Sequence, residues 1–271
     1  GRRSGLKIRR GQLREGSSPS FGISSLNMTA IITPFRIAWS FFWAILASVV
    51  LFVPISAAAL LSRTGNLAFT LSKLWAYTML GVHFVRREIV HRERIAPGQP
   101  YIIIANHQSL FDILALVTTL GIQYRWVIKR EVLKVPLFGY ALYASRNIFV
   151  DRSNTQKAIA SIHRGLDRLP EGASVLIFAE GTRSRDGSIR EFKKGGFQMA
   201  IARHIPILPV AVNGSRHVLP KDSFLIRPGR IRVAVGEPID TTGCNEEAIP
   251  ALMERTRSAL LALYDPDYGS R

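Results

Sequence analysis

A histidine and an aspartate five positions apart open the case for acid–base chemistry. They lie in Asn106-His107-Gln108-Ser109-Leu110-Phe111-Asp112, directly after the apolar, β-branched run Tyr101–Ala105. On a regular helix five residues span about 140°, so the two side chains could not share a helical face. They can meet if His107 lies in a strand-to-helix loop and Asp112 in the first helical turn. An aspartate placed there would fix the imidazole tautomer and stabilise the imidazolium formed on proton capture. A second reading stands beside this one. Ser109-x-x-Asp112 also has the form of a capping box with Asp in the Glu position, which needs no catalysis.

A second loop has the chemistry of anion binding. Phe178-Ala179-Glu180-Gly181-Thr182-Arg183-Ser184 follows another apolar run, Val175–Ala179. Gly181 permits a tight turn and close backbone approach, and Arg183 offers a planar fork to a phosphate. Arg185, Arg190, Lys193 and Lys194 follow before Gly195-Gly196. The plainer alternative is a solvated charged loop.

The elements that must hold these loops can be read from periodicity. Strands are expected at Tyr101–Ala105, Trp126–Lys129, Val175–Ala179, Ile207–Val212 and Ile231–Val235. Helices are expected at Leu110–Leu120, Thr155–Leu169, Gly195–Arg203 and Glu246–Leu263. This alternation defines an α/β fold, a single sheet flanked by helices, with ligand loops at strand ends.

The chain of 271 residues is 47% hydrophobic, with a positive mean hydropathy despite a net charge of +17. Much of the apolar content lies in one place. Ile37–Leu61 carries no charge over 25 residues and holds Trp39, Phe41, Phe42 and Trp43, more than the roughly 20 residues that cross a bilayer as a helix. Pro54 should kink or break it. Leu67–Val85 reads as a second helix whose sticky face is Leu67, Leu71, Leu74, Trp75, Thr78 and Val82. Basic residues flank both ends of this region: Arg36 before it, then Arg86, Arg87, Arg92 and Arg94 after it. By the positive-inside rule both flanks belong in the cytoplasm. A helix pair that enters and returns, or lies shallowly, satisfies that condition, with the rest of the chain on the cytoplasmic face (of the inner membrane if the source is bacterial).

Residues 1–27 carry six Lys/Arg and one Glu without apolar periodicity, and are expected to be a disordered basic tail. Met28 is the expected initiator, which would make that tail an extension not native to the protein. The expected division is therefore 1–27 tail, 28–85 membrane-associating helices and 86–271 α/β domain. One cysteine, Cys244, rules out an intrachain disulfide and a thiolate cluster. No spaced ligand pattern indicates a metal. The basic residues do not interleave with exposed aromatics, and no nucleic-acid-binding motif is present, so no nucleic-acid partner is expected.

Two further segments complete a pattern. Asn147-Ile148-Phe149-Val150-Asp151-Arg152 lies between the two loops, and Ile205-Pro206-Ile207-Leu208-Pro209-Val210 follows them. Together with Asn106–Asp112 and Phe178–Ser184, in this order, they resemble the four motifs of the 1-acylglycerol-3-phosphate (lysophosphatidate) acyltransferases, within the glycerolipid acyltransferase superfamily. The sequence departs from that pattern at Arg146, where glycine is usual, and at Ala179, where proline is usual.

The resemblance implies that His107 is the general base for a glycerol hydroxyl attacking a thioester carbonyl, with Asp112 orienting it. It implies that Arg183 holds the acceptor phosphate with help from Lys129 and Arg152. Glu180, Gly181 and Thr182 would shape the acceptor loop, with backbone N–H groups near Gly181 facing the oxyanion. Asn106, Ser109 and Asp151 would complete the motifs without a covalent role. No cofactor is implied; acyl-CoA or acyl carrier protein would be the co-substrate. Membrane lipids and lysophosphatidic acid would be the partners, and phosphatidic acid the product. The other readings are an acyltransferase for a different lyso-lipid or for glycerol 3-phosphate, and a non-catalytic membrane lipid-binding protein.

Overall fold

The computed structural model describes residues 25–151 and 153–270, with side chains from residue 32 onward except those of 155, 159 and 163. The expected tail lies outside the described residues apart from 25–27, and Arg152 lies outside them as well. Seven strands form one sheet: β1 (Val85–Val90), β2 (Ile102–Ala105), β3 (Tyr124–Lys129), β4 (Ile148–Val150), β5 (Ser174–Phe178), β6 (Ile207–Asn213) and β7 (Gly229–Val235). Their order is β1-β7-β6-β2-β5-β3-β4. Strands β6, β2, β5, β3 and β4 are parallel, so their carboxyl ends share one edge. Strand β7 is antiparallel to β6, and β1 parallel to β7. The sheet is therefore mixed.

Both faces are covered, which is why the central strands read as unbroken apolar runs instead of alternating. Ile103 and Ala105 face one layer, containing α2 (Asn66–Val82) and α3 (Phe111–Thr119). Ile102 and Ile104 face the other, built from α5 (Thr155–Leu166), α6 (Gly195–Arg203) and α8 (Ile249–Leu263). The remaining helices are α1 (Ser25–Leu61), α4 (Phe138–Ala144) and the short α7 (Ser215–Val218).

Helix α1 starts three residues before the expected boundary and runs through Pro54 without a break. It is long and apolar enough to cross a membrane, and most of its apolar stretch is exposed. The helix lies lengthwise on the rest of the chain. Arg36 Nη2 donates to Ile226 O at 2.7 Å near one end, Phe41 meets Phe224 at 6.1 Å, Trp75 Nε1 donates to Ser48 Oγ at 3.1 Å, and Phe52 meets Tyr140 at 5.6 Å. The expected sticky face of α2 needs correction. Leu67 and Leu74 are exposed, whereas Ala68, Phe69, Ala76, Met79 and Leu80 are buried in the core. That buried set is itself helical in period but weaker in hydrophobicity, so the stronger stripe won on sequence alone.

Strands β1 and β4 and helices α4 and α7 escaped the sequence reading. Strand β1 contains Arg86, Arg87 and Glu88, which read as a charged flank but decorate an edge strand, as edges commonly are. Arg87 covers the Tyr77 ring at 4.5 Å, and Arg94 pairs with Glu237 at 2.7 Å. The basic flank is thus partly structural. Helix α4 is short, and Gly139 within it carries no helix signal. A Cβ at Gly139 would lie 2.5 Å from Leu133 O, so glycine is what lets the preceding 3₁₀ turn, Arg130–Lys134, press on the helix.

Candidate active site

Strand β2 ends at Ala105, and the chain leaves the sheet through Asn106. The Asn106 side chain extends the ladder: Nδ2 donates to Val212 O at 2.9 Å and Oδ1 accepts from Val212 N–H at 2.7 Å. This anchors the loop that follows to β6. His107 comes next, and its Nδ1 lies 2.8 Å from Asp112 Oδ2. Because a carboxylate only accepts, Nδ1 carries the proton and Nε2 keeps its lone pair. Nε2 has no hydrogen-bond partner among the described residues. The imidazole stacks on Phe178 with centroids 3.8 Å apart and planes within 8°.

Asp112 is held by more than the histidine. Its Oδ2 also accepts from the N–H of Gln108 at 2.7 Å and of Ser109 at 2.9 Å. The bond to Ser109 N–H is half of a capping box, so the capping and acid–base readings hold together. The other half is altered, since Ser109 Oγ accepts from Phe111 N–H and donates to Leu219 O at 2.8 Å. Asp112 is fully buried, and Oδ1 has no partner among the described residues. Among the described residues no Lys or Arg pairs with it, so that charge is available to a protonated His107.

Glu180 supports the loop from below. It is buried; Oε1 accepts from His107 N–H at 2.8 Å and Oε2 from Arg190 N–H at 3.0 Å. Burial pushes its pKa above the usual carboxylate value against the pull of those two bonds. Ser184 N–H donates to His107 O at 2.7 Å, which closes the second loop over the first. Gly181 has φ +76°, the left-handed conformation that favours glycine.

The Gly181 N–H donates to Phe178 O at 3.0 Å, so it is engaged within the turn. The N–H groups of Thr182 and Arg183, next to Gly181, make no hydrogen bond among the described residues. Thr182 is exposed at the tip of the turn. The Arg183 guanidinium has no hydrogen bond or ion pair among the described residues, while its carbonyl accepts from Lys221 Nζ at 2.9 Å.

Of the other expected phosphate ligands, Lys129 is not gathered here. Lys129 ends β3, two strands from β2, roughly 10 Å away by strand spacing, and its Nζ is 3.4 Å from Glu131. Pleating also turns it to the face opposite Trp126 and Ile128. Asp151 follows the outermost strand β4; there it accepts from Ser153 N–H at 3.0 Å and lies 3.6 Å from Arg130. Arg152 lies outside the described residues. Arg146, in the usual glycine position, adopts φ +58°. The turn therefore keeps the left-handed geometry at a cost of about 1 kcal/mol or more for a residue with a Cβ.

The sequence reading assigned no role to Phe178, Gln108, Tyr264 and Lys221. Gln108 Nε2 donates to Gly187 O at 3.0 Å and to the Tyr264 hydroxyl, which itself donates to Gly187 O at 2.6 Å. Phe178 and Gln108 sit inside the quoted motifs, so a signal was present; Tyr264 and Lys221 carry none. Beyond Phe178 lies Trp126, with centroids 5.6 Å apart. Trp126 walls an apolar cavity of ≈ 70 Å³ shared with Phe52, Phe69, Trp75, Leu137 and Phe138. No group of three or more His, Cys, Asp or Glu among the described residues could hold a metal ion.

A His–Asp pair at the carboxyl edge of a parallel-rich sheet, beside a basic turn and an apolar cavity, falls within a stretch matching a known class. Residues 86–213 match the family model described as Acyltransferase. Among relatives, the mouse 1-acyl-sn-glycerol-3-phosphate acyltransferase alpha is 30% identical over 228 residues, covering 83% of this chain and 77% of the mouse protein. The bovine protein of the same name is 32% identical over 181 residues, covering 66% of this chain. The chain belongs to the 1-acyl-sn-glycerol-3-phosphate acyltransferase family. Its match spans 63% of the length of that bovine relative. The crystal structure of the 1-acyl-sn-glycerophosphate (LPA) acyltransferase PlsC from Thermotoga maritima has the same fold. Its TM-score is 0.71 at 24% identity, covering 88% of this chain and 100% of that one.

Proposed function

We propose that this chain moves a fatty acyl group from a thioester donor, acyl-CoA or acyl carrier protein, to the free hydroxyl of 1-acylglycerol 3-phosphate, forming phosphatidic acid. The observation that carries this reading is the His107 tautomer: Nδ1–H is committed to a buried, doubly N–H-bonded Asp112 oxygen, leaving Nε2 as a base. Nε2 takes the hydroxyl proton as the acceptor oxygen bonds to the thioester carbon. The carbonyl oxygen becomes the oxyanion, which the free N–H groups of Thr182 and Arg183 are candidates to stabilise. Collapse of this intermediate breaks the C–S bond, and the imidazolium returns its proton to the leaving thiolate. Asp112 stabilises the imidazolium between those two steps.

The relatives' printed substrate and the unpaired Arg183 guanidinium support a phosphorylated acceptor. The apolar cavity behind Phe178 and Trp126 supports an acyl chain alongside the base, although ≈ 70 Å³ admits only a few water-sized groups without widening. Exposed apolar side chains along α1, with Leu67 and Leu74 of α2, support association with a membrane. Because α1 is tied to the rest of the chain from Arg36 to Phe52, the pair fits a shallow interfacial seat better than a perpendicular crossing. The catalytic edge is proposed to work at the cytoplasmic face.

The test is transfer from each donor type to 1-acylglycerol 3-phosphate, glycerol 3-phosphate and a lyso-lipid with a larger head group. His107→Ala should remove measurable transfer, and Asp112→Asn should lower kcat on the order of 10⁴-fold by disturbing the tautomer. Retention of transfer by His107→Ala would exclude this mechanism, and preference for another acceptor would exclude the proposed substrate.

A further inference from the structure

Outside the catalytic edge, the 3₁₀ turn Arg130–Lys134 and helix α4, whose inner side walls the apolar cavity, turn an outer surface away from it. Leu133, Val135, Phe138, Tyr140 and Tyr143 are all exposed there, and Tyr143 is 58% accessible. Basic residues border them. Lys129, Arg130, Lys134 and Arg146 stand there against two acids, Glu131, 3.4 Å from Lys129, and Asp151, 3.6 Å from Arg130, so the border keeps an excess of cations. We propose that this segment is a second membrane-contact surface, distinct from α1 and α2, which takes the headgroups of anionic phospholipids.

Three observations select a lipid surface as the occupant. Exposed apolar groups, tyrosines with polar tips and flanking cations are the chemistry of a membrane interface. The patch is also continuous with the apolar helices: Tyr140 meets Phe52 of α1 at 5.6 Å, and Phe138 meets Trp75 of α2 at 5.8 Å. A bilayer that seats α1 would therefore reach Tyr140. Lastly, a second copy of the chain would bring the same excess of cations against itself, whereas an anionic bilayer complements it. The segment is held in place without a lipid, because Gly139 lets the 3₁₀ turn pack on α4 and Gly139 N–H donates to Val135 O at 2.8 Å.

The inference rests on the membrane association proposed above, so the test must report each separately. In a Cys244→Ala background, an environment-sensitive fluorophore is attached at Tyr143→Cys, at Val49→Cys on α1, and at Glu254→Cys on α8 as an exposed control. Vesicles of phosphatidylcholine alone and of phosphatidylcholine with phosphatidylglycerol are then added. The expected result is a blue shift at positions 49 and 143 with the mixed vesicles, a smaller shift at 143 with phosphatidylcholine alone, and none at 254. Arg130→Gln together with Lys134→Gln should lower partition into the mixed vesicles about thirtyfold, as roughly 1 kcal/mol for each of the two cations near an anionic surface implies.

A shift at 49 without one at 143 overturns this inference and leaves the α1 seat standing. Equal shifts at 143 on both vesicle types overturn the anionic preference. Silence at both positions, with no co-sedimentation, overturns membrane association and this surface with it.

Discussion

Asp112 and Glu180 show how differently two buried carboxylates of one site can be used. Asp112 lies on the ring side of His107, where it accepts the Nδ1 proton; Glu180 lies on the backbone side, holding the N–H groups of His107 and Arg190. Burial raises the Glu180 pKa, so the carboxyl keeps its proton to higher pH in the folded chain than in the unfolded one. Its contribution to stability is thus fully present below the unfolded carboxylate pKa and is lost as pH rises through the folded value. Glu180→Gln should be less stable at every pH, since one of its two backbone donors then faces an NH₂ group. The deficit should shrink as pH rises from 4 to 7, because only the wild type pays for burying a charge. Paired urea melts across that range measure this, and a constant deficit would mean that the carboxylate titrates normally. The His107–Asp112 pairing was legible in sequence because both partners fall within one seven-residue segment. Lys221 and Tyr264 were not, because they reach the site through loops that no local period describes.

At the level of elements, Arg125 has the least expected placement. It lies on β3, is fully buried and has no acidic partner among the described residues, and burial lowers its pKa to about 10. Its guanidinium instead donates to Tyr124 O, to Thr64 O at 2.9 Å and to the Asn66 side chain. Thr64 and Asn66 form the turn between α1 and α2, so one side chain ties that turn to the sheet. Arg125→Ala should leave those acceptors unpaired and destabilise the chain on the order of 2–4 kcal/mol. Denaturant unfolding measures the loss, and a change within about 0.5 kcal/mol would mean that the turn is held elsewhere. The central strands and α6 could be read from sequence because both-sided burial leaves plain apolar runs. The α2 face and β1 could not: an exposed apolar stripe and a charged edge strand each invert the usual link between hydrophobicity and burial.

For the whole molecule, the helix pair is both part of the core and an exposed apolar surface. Phe69, Met79 and Leu80 of α2 complete the layer that covers the sheet, so removing the pair would open the core and report on folding as much as on membranes. Substitutions on the outer face of α1 separate the two. Val49 is 53% and Val53 70% accessible, and both belong to the stripe that a bilayer would cover. Val49→Asp combined with Val53→Asp should leave the unfolding midpoint nearly unchanged, because neither side chain fills the interior. Vesicle partition should fall at least tenfold, since burying each valine side chain contributes about 1.5 kcal/mol or more and a charge adds a desolvation cost. Co-sedimentation with vesicles, alongside thermal melts of the same preparations, provides the comparison. Unchanged partition with an unchanged melt would place the membrane contact elsewhere on the molecule. A sharp loss of both would show instead that this face is packed against protein, and that the apolar length of α1 reflects a core helix whose cover is another chain.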